Sequence, residues 1–527
     1  MKSGRSGRQV LLVGHTIAAL CMAGAALADT RVSCADLAKL TLPEVISIKS
    51  QAFAGGTFTP PDGTPPVTNL PAFCRVSLVV VPKINIEVWL PDQWNERFQG
   101  VGGGGFAGAI SWSGLGPVVQ SGYATASTDT GHAAAVAALG ALDGSFAFDS
   151  AGNMSWGQIE DFSYRSLHQL AVKGQALAKA YYGTPAKYSY WNGCSTGGRQ
   201  GLAMAQRYPD DYDGILAGAP AINWDRFQVA QLWGQTVQKE DTGGPIAACK
   251  FDLANAGAYK ACDASDGVTD GVLRDPRTCT FDPQVLQCTG GQSGCGCLTP
   301  GEASAIRKIW DGPRDAKGAL LWYGIERTTA FSGLSGPQPF PITPWHFKWI
   351  EHDPNFDVNV VTQNQYAKYM ADAVNLLGGV IGTNDPNLEP FRMAGGKLLM
   401  WHGWNDQLIY PRATVDYYKQ VAAISGANTD QFVRLFMASG VAHCGGGPGP
   451  NVFGQNPSTG VGTTANNDMF KAVVRWVEQG TPPDFIIATR VDSGVATTRP
   501  LCRYPQVTTY TGVGNPGDWT NFYCANP

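Results

Sequence analysis

Gly193-Cys194-Ser195-Thr196-Gly197 has the G-x-S-x-G form, in which a serine is held on a tight turn between a strand and a helix with its hydroxyl exposed as a nucleophile. The flanks fit that form. Lys187 to Trp191 carries three aromatics and suits a strand, and Gln200 to Arg207 starts an amphipathic helix that Pro209 ends. With 65 glycines in 527 residues the pattern alone arises easily by chance, so its context carries the reading against a bystander serine on a glycine-rich turn. One feature separates the two cases. Cys194 directly precedes the serine, and Cys444 directly follows His443.

A serine nucleophile needs a base and an orienting acid, which in an α/β-hydrolase follow in the order serine, acid, histidine, each from a loop after a later strand. Four histidines follow Ser195. His346 and His352 fall in an irregular stretch, and His402 ends a predicted strand. His443 lies in the loop Ser439 to Pro450, after the last long strand before the terminal helix. Position selects His443 as the base and leaves His402 as a packed histidine supporting the neighbouring loop. Asp406, in Trp404-Asn405-Asp406 just past the strand ending near Trp401, stands where the acid belongs. In a working triad the backbones at Cys194 and Cys444 lie within side-chain reach, so a disulfide could join them, although an even cysteine count admits other pairings.

The elements that must position these groups can be read in order. Cys34 and Cys74 flank Gly, Pro and Thr clusters around Gly55 to Pro66, read as a surface loop closed by a disulfide. Arg75 to Val81 and Ile84 to Leu90 read as an antiparallel pair around Pro82-Lys83. Arg97 to Val101 is a short strand running into Gly102-Gly103-Gly104-Gly105, and a run of four glycines implies backbone conformations or close approaches that other residues cannot supply. An oxyanion loop gives the reason: the N–H of Gly102 or Gly103 with that of Thr196. A flexible glycine hairpin is the alternative. Tyr123 to Asp129 (strand), Asp161 to Tyr181 (helix) and Asp213 to Ala217 (strand) continue the rhythm of a mostly parallel sheet. From 221 to 393 the rhythm stops in favour of cysteines, aromatics and turn signals, read as an inserted lid domain. It resumes with Lys397 to Trp401, Ala413 to Ile424, Phe432 to Met437, Asp468 to Gln479 and Phe485 to Thr489. The fold class is α/β, with a catalytic domain over 29–220 and 394–527.

Lys2, Arg5 and Arg8 precede an apolar run from Val10 to about Leu27 that ends in Ala26-Leu27-Ala28, the pattern of a signal peptide over residues 1–28. The run is broken by Gly14, His15, Thr16 and Gly24, which disfavours a membrane anchor, and Cys21 follows Leu20 rather than a small residue, which disfavours a lipidated terminus. The chain is expected to be secreted or periplasmic. Setting Cys21 aside leaves twelve of thirteen cysteines, an even number for an oxidising compartment. A net charge of −4 and no basic stripe argue against a nucleic acid or an anionic membrane surface as partner. Fifteen tryptophans hint at a flat or ring-shaped ligand, or fill an ordinary core.

Cys-Ser within G-x-S-x-G, an aspartate closing Trp401-His402-Gly403-Trp404-Asn405-Asp406, and His443-Cys444-Gly445-Gly446-Gly447-Pro448-Gly449 resemble the tannase and feruloyl esterase family of secreted α/β-hydrolases. That family includes fungal and bacterial members and a terephthalate monoester hydrolase. The resemblance covers nearly the whole chain after the leader. It implies Ser195, Asp406 and His443 as the triad, a disulfide between Cys194 and Cys444, and a lid that closes over phenolic acyl groups. Trp224, Trp233, Trp310, Trp322, Trp345, Phe347 and Trp349 lie in the lid, either facing substrate or forming the lid's own core.

A second candidate site is Cys262 to Val272, where Asp263, Asp266 and Asp270 stand three and four apart among glycines and could wrap a hard cation, expected to be calcium. An acidic turn without metal is the alternative. The resemblance implies a lid calcium held by the side chains of Asp263, Asp266 and Asp270 and the carbonyls of Val268 and Val272. Cys262 and Cys279 bracket the stretch as a disulfide would, and Cys288 with Cys297 is similarly suggested. Cys249 with Cys295 follows by elimination, and Cys502 with Cys524 would pin the C-terminal tail.

The expected reaction is hydrolysis of a small aromatic ester through an acyl-enzyme, with feruloyl esters first, galloyl esters second and terephthalate monoesters third. No arginine follows Trp349 in the lid before Arg392 to meet a free carboxylate, which disfavours the third. A binding protein on a hydrolase scaffold would show a lost triad member, and none is lost.

Overall fold

The computed structural model describes residues 31–133, 140–455 and 464–527, so the leader expected over 1–28 lies outside the described residues. Nine strands form the main sheet: β1 (Val45–Phe53), β4 (Phe73–Val80), β5 (Ile84–Pro91), β6 (Arg97–Val101), β7 (Ala124–Thr128), β8 (Tyr188–Cys194), β9 (Gly214–Gly218), β10 (Lys397–Gly403) and β11 (Val433–Ala438). β2 (Gly56–Phe58) and β3 (Val67–Leu70) form a small separate pair.

The spatial order is β1-β4-β5-β7-β6-β8-β9-β10-β11. β7, β6, β8, β9, β10 and β11 run parallel, whereas β1, β4 and β5 are antiparallel to their neighbours. β7 and β9 are buried along their whole length, as parallel strands covered on both faces must be, and both consist of small or apolar residues. Helices α1 (Trp112–Gln120), α2 (Trp156–Glu160), α3 (Ser166–Tyr182) and α4 (Thr196–Arg207) follow the early strands. α3 and α4 place Leu167, Leu170, Leu177, Leu202 and Met204 on one face of the sheet, and the helix Met469–Gln479 places Met469, Val473 and Trp476 near the other.

The chain reverses its order across the sheet between β6 and β8, which pair directly, Val101 opposite Asn192. Ligands of open α/β sheets bind beyond the carboxyl ends of strands at such a reversal. The glycine run after β6 and the serine turn after β8 are therefore neighbours because of topology.

Two expectations need correction. The stretch between Cys34 and Cys74 is more than a loop, because Val45–Phe53 forms edge strand β1, paired along its length with β4. The strand Phe485–Asp492 (β12) stands outside the main sheet, paired antiparallel with β13 (Val495–Cys502), while β14 (Val507–Tyr510) pairs with β15 (Phe522–Ala525).

Residues 221–393 are helical, beginning with α5 (Trp224–Ala230), and add no strand to the main sheet. Most of their buried apolar residues form one cluster that continues into Phe106, Phe146 and Phe162, while Ile222, Leu388 and Phe391 join the cluster of the sheet. All six disulfides pair as expected: Cys34–Cys74, Cys194–Cys444, Cys249–Cys295, Cys262–Cys279, Cys288–Cys297 and Cys502–Cys524. Among the described residues no helix is long and apolar enough to cross a membrane.

Candidate active site

Ser195 has φ 63° and ψ −124°, a conformation that costs a non-glycine residue about 1–3 kcal/mol and persists only where its surroundings enforce it. They do so here through hydrogen bonds. The Ser195 N–H donates to the Gly218 carbonyl at 2.9 Å, and the Ser195 carbonyl accepts from the N–H groups of Arg199 at 3.0 Å and Ala221 at 3.1 Å. The motif glycines are set by close approach. A Cβ on Gly193 would lie 2.6 Å from the Gly197 backbone, and one on Gly102 would lie 2.6 Å from the Gly197 Cα. The turn after β8 and the glycine run after β6 thus touch backbone to backbone.

The same hydrogen bonding corrects the Gly102 assignment. The Gly102 N–H extends the sheet by donating to the Asn192 carbonyl at 3.1 Å, and the Gly103 N–H donates to Gln200 Oε1 at 3.0 Å. Neither is available to an oxyanion. Gly104 and Gly105 instead line the cavity beside Ser195 and Thr196, and among the described residues none of the N–H groups of Gly104, Gly105 and Thr196 has a protein acceptor. Thr196 Oγ1 donates to the Gly105 carbonyl at 2.6 Å and fastens this loop to the serine turn.

His443 and Asp406 meet as their order in the chain predicts, with His443 Nδ1 2.8 Å from Asp406 Oδ2. Asp406 lies just past β10, fully buried. Its Oδ1 accepts from the N–H groups of Leu408 at 2.8 Å and Ile409 at 2.9 Å. Its Oδ2 also meets a second imidazole, His402 Nε2 at 3.0 Å, whose Nδ1 is 2.8 Å from Thr414 Oγ1. Burial alone would raise the Asp406 carboxyl, but the charge of His443 and the hydrogen bonds from both histidines outweigh it and hold the group below the usual carboxylate range. His402 is thus a packed histidine, and in addition a direct partner of the acid, a role its strand-end position did not reveal. The histidine loop is also held from its backbone, since the His443 N–H donates to Gln407 Oε1 at 3.1 Å.

Cys194 and Cys444, with Cα atoms 5.9 Å apart, join the segments bearing Ser195 and His443 across 250 residues of sequence. Both serine and histidine open onto one cavity of about 320 Å³, walled by Leu142, Trp224, Phe227, Phe340, Ile342 and Ile409. Of the seven aromatics placed in the lid, Trp224 alone lines this cavity; Trp233, Trp310, Trp322, Phe347 and Trp349 are buried in the helical cluster and Trp345 packs against it. Trp224 is fixed from behind by the buried Arg199, whose guanidinium carbon lies 5.5 Å from its ring and whose N–H groups donate to the carbonyls of Ser163 at 2.9 Å and Phe162 at 3.2 Å. Phe227, Gln228 and Gln231 were missed. The signal was present in W-D-R-F-Q-V-A-Q, which puts Trp224, Phe227, Gln228 and Gln231 on one helical face.

At the second candidate site, Asp263 Oδ1 is buried without a donor, the kind of oxygen a cation would satisfy. The other carboxylates are already engaged. Asp263 Oδ2 accepts from the Gly271 N–H at 3.0 Å, Asp266 from Val268 at 3.1 Å and Arg274 at 3.2 Å, and Asp270 from Val272 at 3.1 Å and the Arg499 guanidinium at 2.8 Å. Among the described residues no three His, Cys, Asp or Glu side chains are gathered at metal-ligating distance. Asp263 Oδ1 is thus the one carboxylate oxygen of Asp263, Asp266 and Asp270 that is buried without a partner among the described residues.

The family model described as tannase and feruloyl esterase matches residues 70–525. The chain belongs to the tannase and feruloyl esterase family. A probable feruloyl esterase of Arthroderma benhamiae is 37% identical over 492 residues, covering 88% of each chain. An uncharacterized esterase of Xanthomonas campestris is 36% identical over 568 aligned positions, 99% of this chain and 95% of that one. The crystal structure of feruloyl esterase B from Aspergillus oryzae superposes with a TM-score of 0.83 at 29% identity, covering 93% of this chain and 99% of that one. The tannin acyl hydrolase of Aspergillus niger, at 23% identity and a TM-score of 0.78, shares the fold. This member of the tannase and feruloyl esterase family is a carboxylic-ester hydrolase of the α/β-hydrolase fold.

Proposed function

We propose that the protein is an exported serine esterase that cleaves esters of neutral aromatic acids, feruloyl esters first, with Ser195, Asp406 and His443 as its triad. The observation that carries this reading is the cavity itself. Serine and histidine share it with an apolar, aromatic wall, and no arginine or lysine lines it among the described residues. An aromatic acyl group without a second charge suits such a wall, and a terephthalate monoester, with its free carboxylate, does not.

Ser195 Oγ attacks the ester carbonyl while His443 Nε2 takes its proton, Nδ1–H being held by Asp406. The N–H groups of Thr196, Gly104 and Gly105 receive the oxyanion. Protonated His443 gives its proton to the departing alcohol. It then takes a proton from water, which attacks the acyl-enzyme and frees the aromatic acid. The six disulfides support export to an oxidising compartment, either periplasm or the cell exterior. A calcium ion held by Asp263, Asp266 and Asp270 with the carbonyls of Val268 and Val272 would serve structure, removed from the chemistry.

A panel of feruloyl, galloyl and terephthaloyl esters compared by kcat/KM tests the reading, with Ser195→Ala as control. The feruloyl ester is expected to lead and the variant to be inactive with its melting curve intact. Undiminished activity in Ser195→Ala overturns the nucleophile, and a leading terephthaloyl ester overturns the acyl preference.

A further inference from the structure

Four residues of the loop after β10 are each met by a different residue of the helical segment 221–393. The Arg277 guanidinium carbon lies 4.7 Å from the centre of the Trp404 ring, and Asn405 Nδ2 donates to the Thr328 carbonyl at 3.0 Å. A Cβ on Gly333 would overlap the Gln407 carbonyl oxygen, and Gln231 Nε2 donates to the Leu408 carbonyl at 2.8 Å. Asp406 stands in the middle of this grip.

Asn405, 7% exposed, joins three parts of the molecule. It precedes Asp406 in the chain. Its backbone N–H donates to the carbonyl of Val441, two residues before His443, at 2.9 Å, while its carboxamide reaches the helical segment. Nδ2 also lies 3.3 Å from Thr328 Oγ1. Because a carbonyl can only accept, the Thr328 contact fixes which end of the amide faces it.

The acceptor is itself held in a strained and braced turn. Thr328 is buried with φ +72°, a conformation that a β-branched residue adopts only where its surroundings enforce it. Tyr259 Oη donates to the same carbonyl at 3.3 Å, and Asn255 Nδ2 donates to the Thr329 carbonyl at 2.9 Å. Asn255 and Tyr259 lie one turn apart on the helix Ala248–Cys262. On the other side Arg412, from the helix Pro411–Ser425, donates to the buried Glu326 carboxylate through two hydrogen bonds of 2.6 and 2.8 Å. An apolar side chain could fill the place of Asn405 with no partner at all. A strained acceptor braced from two helices is a costly way to hold a loop unless the position of that loop matters.

We propose that Asn405 is a positioning residue: anchored on Thr328, it holds the loop that presents the Asp406 carboxylate to His443 Nδ1. The inference rests on the Ser195, Asp406 and His443 triad proposed above. Asn405 touches no reacting atom and acts through Asp406. The 2.8 Å contact between His443 and Asp406 tolerates little displacement, since a misplacement of about 1 Å can cost about 10²-fold in rate.

The test is a double-mutant cycle on the full-length protein with a chromogenic aryl ester. Asn405→Leu, similar in size but without a donor, is expected to lower kcat by about 10- to 100-fold with KM within about threefold of the parent. In the Asp406→Asn background, where there is no carboxylate left to position, the same exchange is expected to change kcat by less than about threefold. A merely structural residue costs the same in both backgrounds. An undiminished loss beside Asp406→Asn therefore overturns the proposal, as does an unchanged kcat for Asn405→Leu alone or a loss carried by KM. Parental kcat in Asp406→Asn overturns the triad reading itself, a distinct outcome. Should Asn405→Leu fail to fold by its melting curve, Asn405→Ser, which withdraws the donor from Thr328, is read through the same cycle, and an equal loss in both backgrounds, or none, overturns the proposal.

Discussion

His402 Nε2 lies 3.0 Å from Asp406 Oδ2, the same carboxylate oxygen that His443 Nδ1 meets at 2.8 Å, so this carboxylate is held between two imidazoles. With Oδ1 taken by two backbone N–H groups, Asp406 has donors on every side. This is what allows a fully buried carboxylate to stay ionised.

The folded-state pKa of Asp406 lies below its unfolded value of about 3.9, so the carboxylate contributes stability that is complete above that value and lost as pH falls through the lower folded one. His402→Phe removes one donor and moves the folded pKa back toward the unfolded value. The melting temperature of the variant is expected to fall at neutral pH and acid unfolding to begin at higher pH than in the parent. Superimposable melting temperatures across an acid series would show that His402 does not stabilise the carboxylate.

Asp406→Asn keeps the shape of the acid but removes the charge and turns one oxygen into a donor. His443 then loses the partner that fixes its Nδ1–H tautomer, and kcat is expected to drop by about 10⁴-fold with KM little changed. Single-turnover kinetics on a chromogenic aryl ester measure it. A loss below about tenfold would remove Asp406 from the triad.

The grouping of Ser195, Asp406 and His443 was legible in the sequence because each residue is announced locally: Ser195 by its glycines, Asp406 and His443 by their place after β10 and β11. The free N–H groups beside Ser195 were not. Which N–H of the glycine run is free depends on the Asn192 carbonyl and the Gln200 side chain, both brought in from other segments. β1 was hidden for a different reason. An edge strand with most of its side chains exposed carries no clean alternation, and the Gly and Pro signals after it dominate the reading. The period of β12 revealed a strand, but strand periodicity does not name the partner, and β12 pairs with β13 instead of β11. The lid tryptophans could not be sorted from composition, since a buried indole and a cavity-lining one look alike until the helices pack.

Gly105 has φ +55°, and a Cβ there would overlap the Ala141 carbonyl oxygen, a backbone atom that cannot swing aside. Gly104 has open space at its Cβ position. Gly105→Ala is therefore expected to displace the oxyanion loop and lower kcat by about 10²–10³-fold, the size of losing one oxyanion donor, and Gly104→Ala to cost less than about a tenth of that. Equal losses in steady-state assays of the two variants would argue against this loop geometry as the source of the donors.

The Cys194–Cys444 bond closes a span of 250 residues, for which the chain-entropy account gives about 5 kcal/mol. Replacing both cysteines by alanine is expected to lower the melting temperature and, because the bond ties the serine turn to the histidine loop, to lower kcat more than KM rises. The paired Cys288→Ala and Cys297→Ala exchange, in the helical segment with a separation of 9 residues, should change stability without that kcat loss. Identical kinetic profiles for the two double variants would assign the catalytic-segment bond a purely stabilising role.

The Asp263 to Arg274 loop bears on the histidine loop from the side: Ser439 Oγ donates to the Arg274 carbonyl at 2.8 Å, and Ser439 opens the segment that carries His443. A calcium ion satisfying Asp263 Oδ1 would hold that support in place, and at about a thousandfold excess over its Kd it would add about 4 kcal/mol to stability by mass action. Chelation is expected to lower the melting temperature of the parent with kcat nearly unchanged at temperatures where the protein stays folded. Asp263→Asn removes the charge that a cation balances, so its melting curve should respond far less to chelator, and elemental analysis should find about one calcium per parent chain and little in the variant. A melting curve indifferent to chelator, together with no metal in the parent, would leave this stretch an acidic turn held by its own N–H groups and by Arg499.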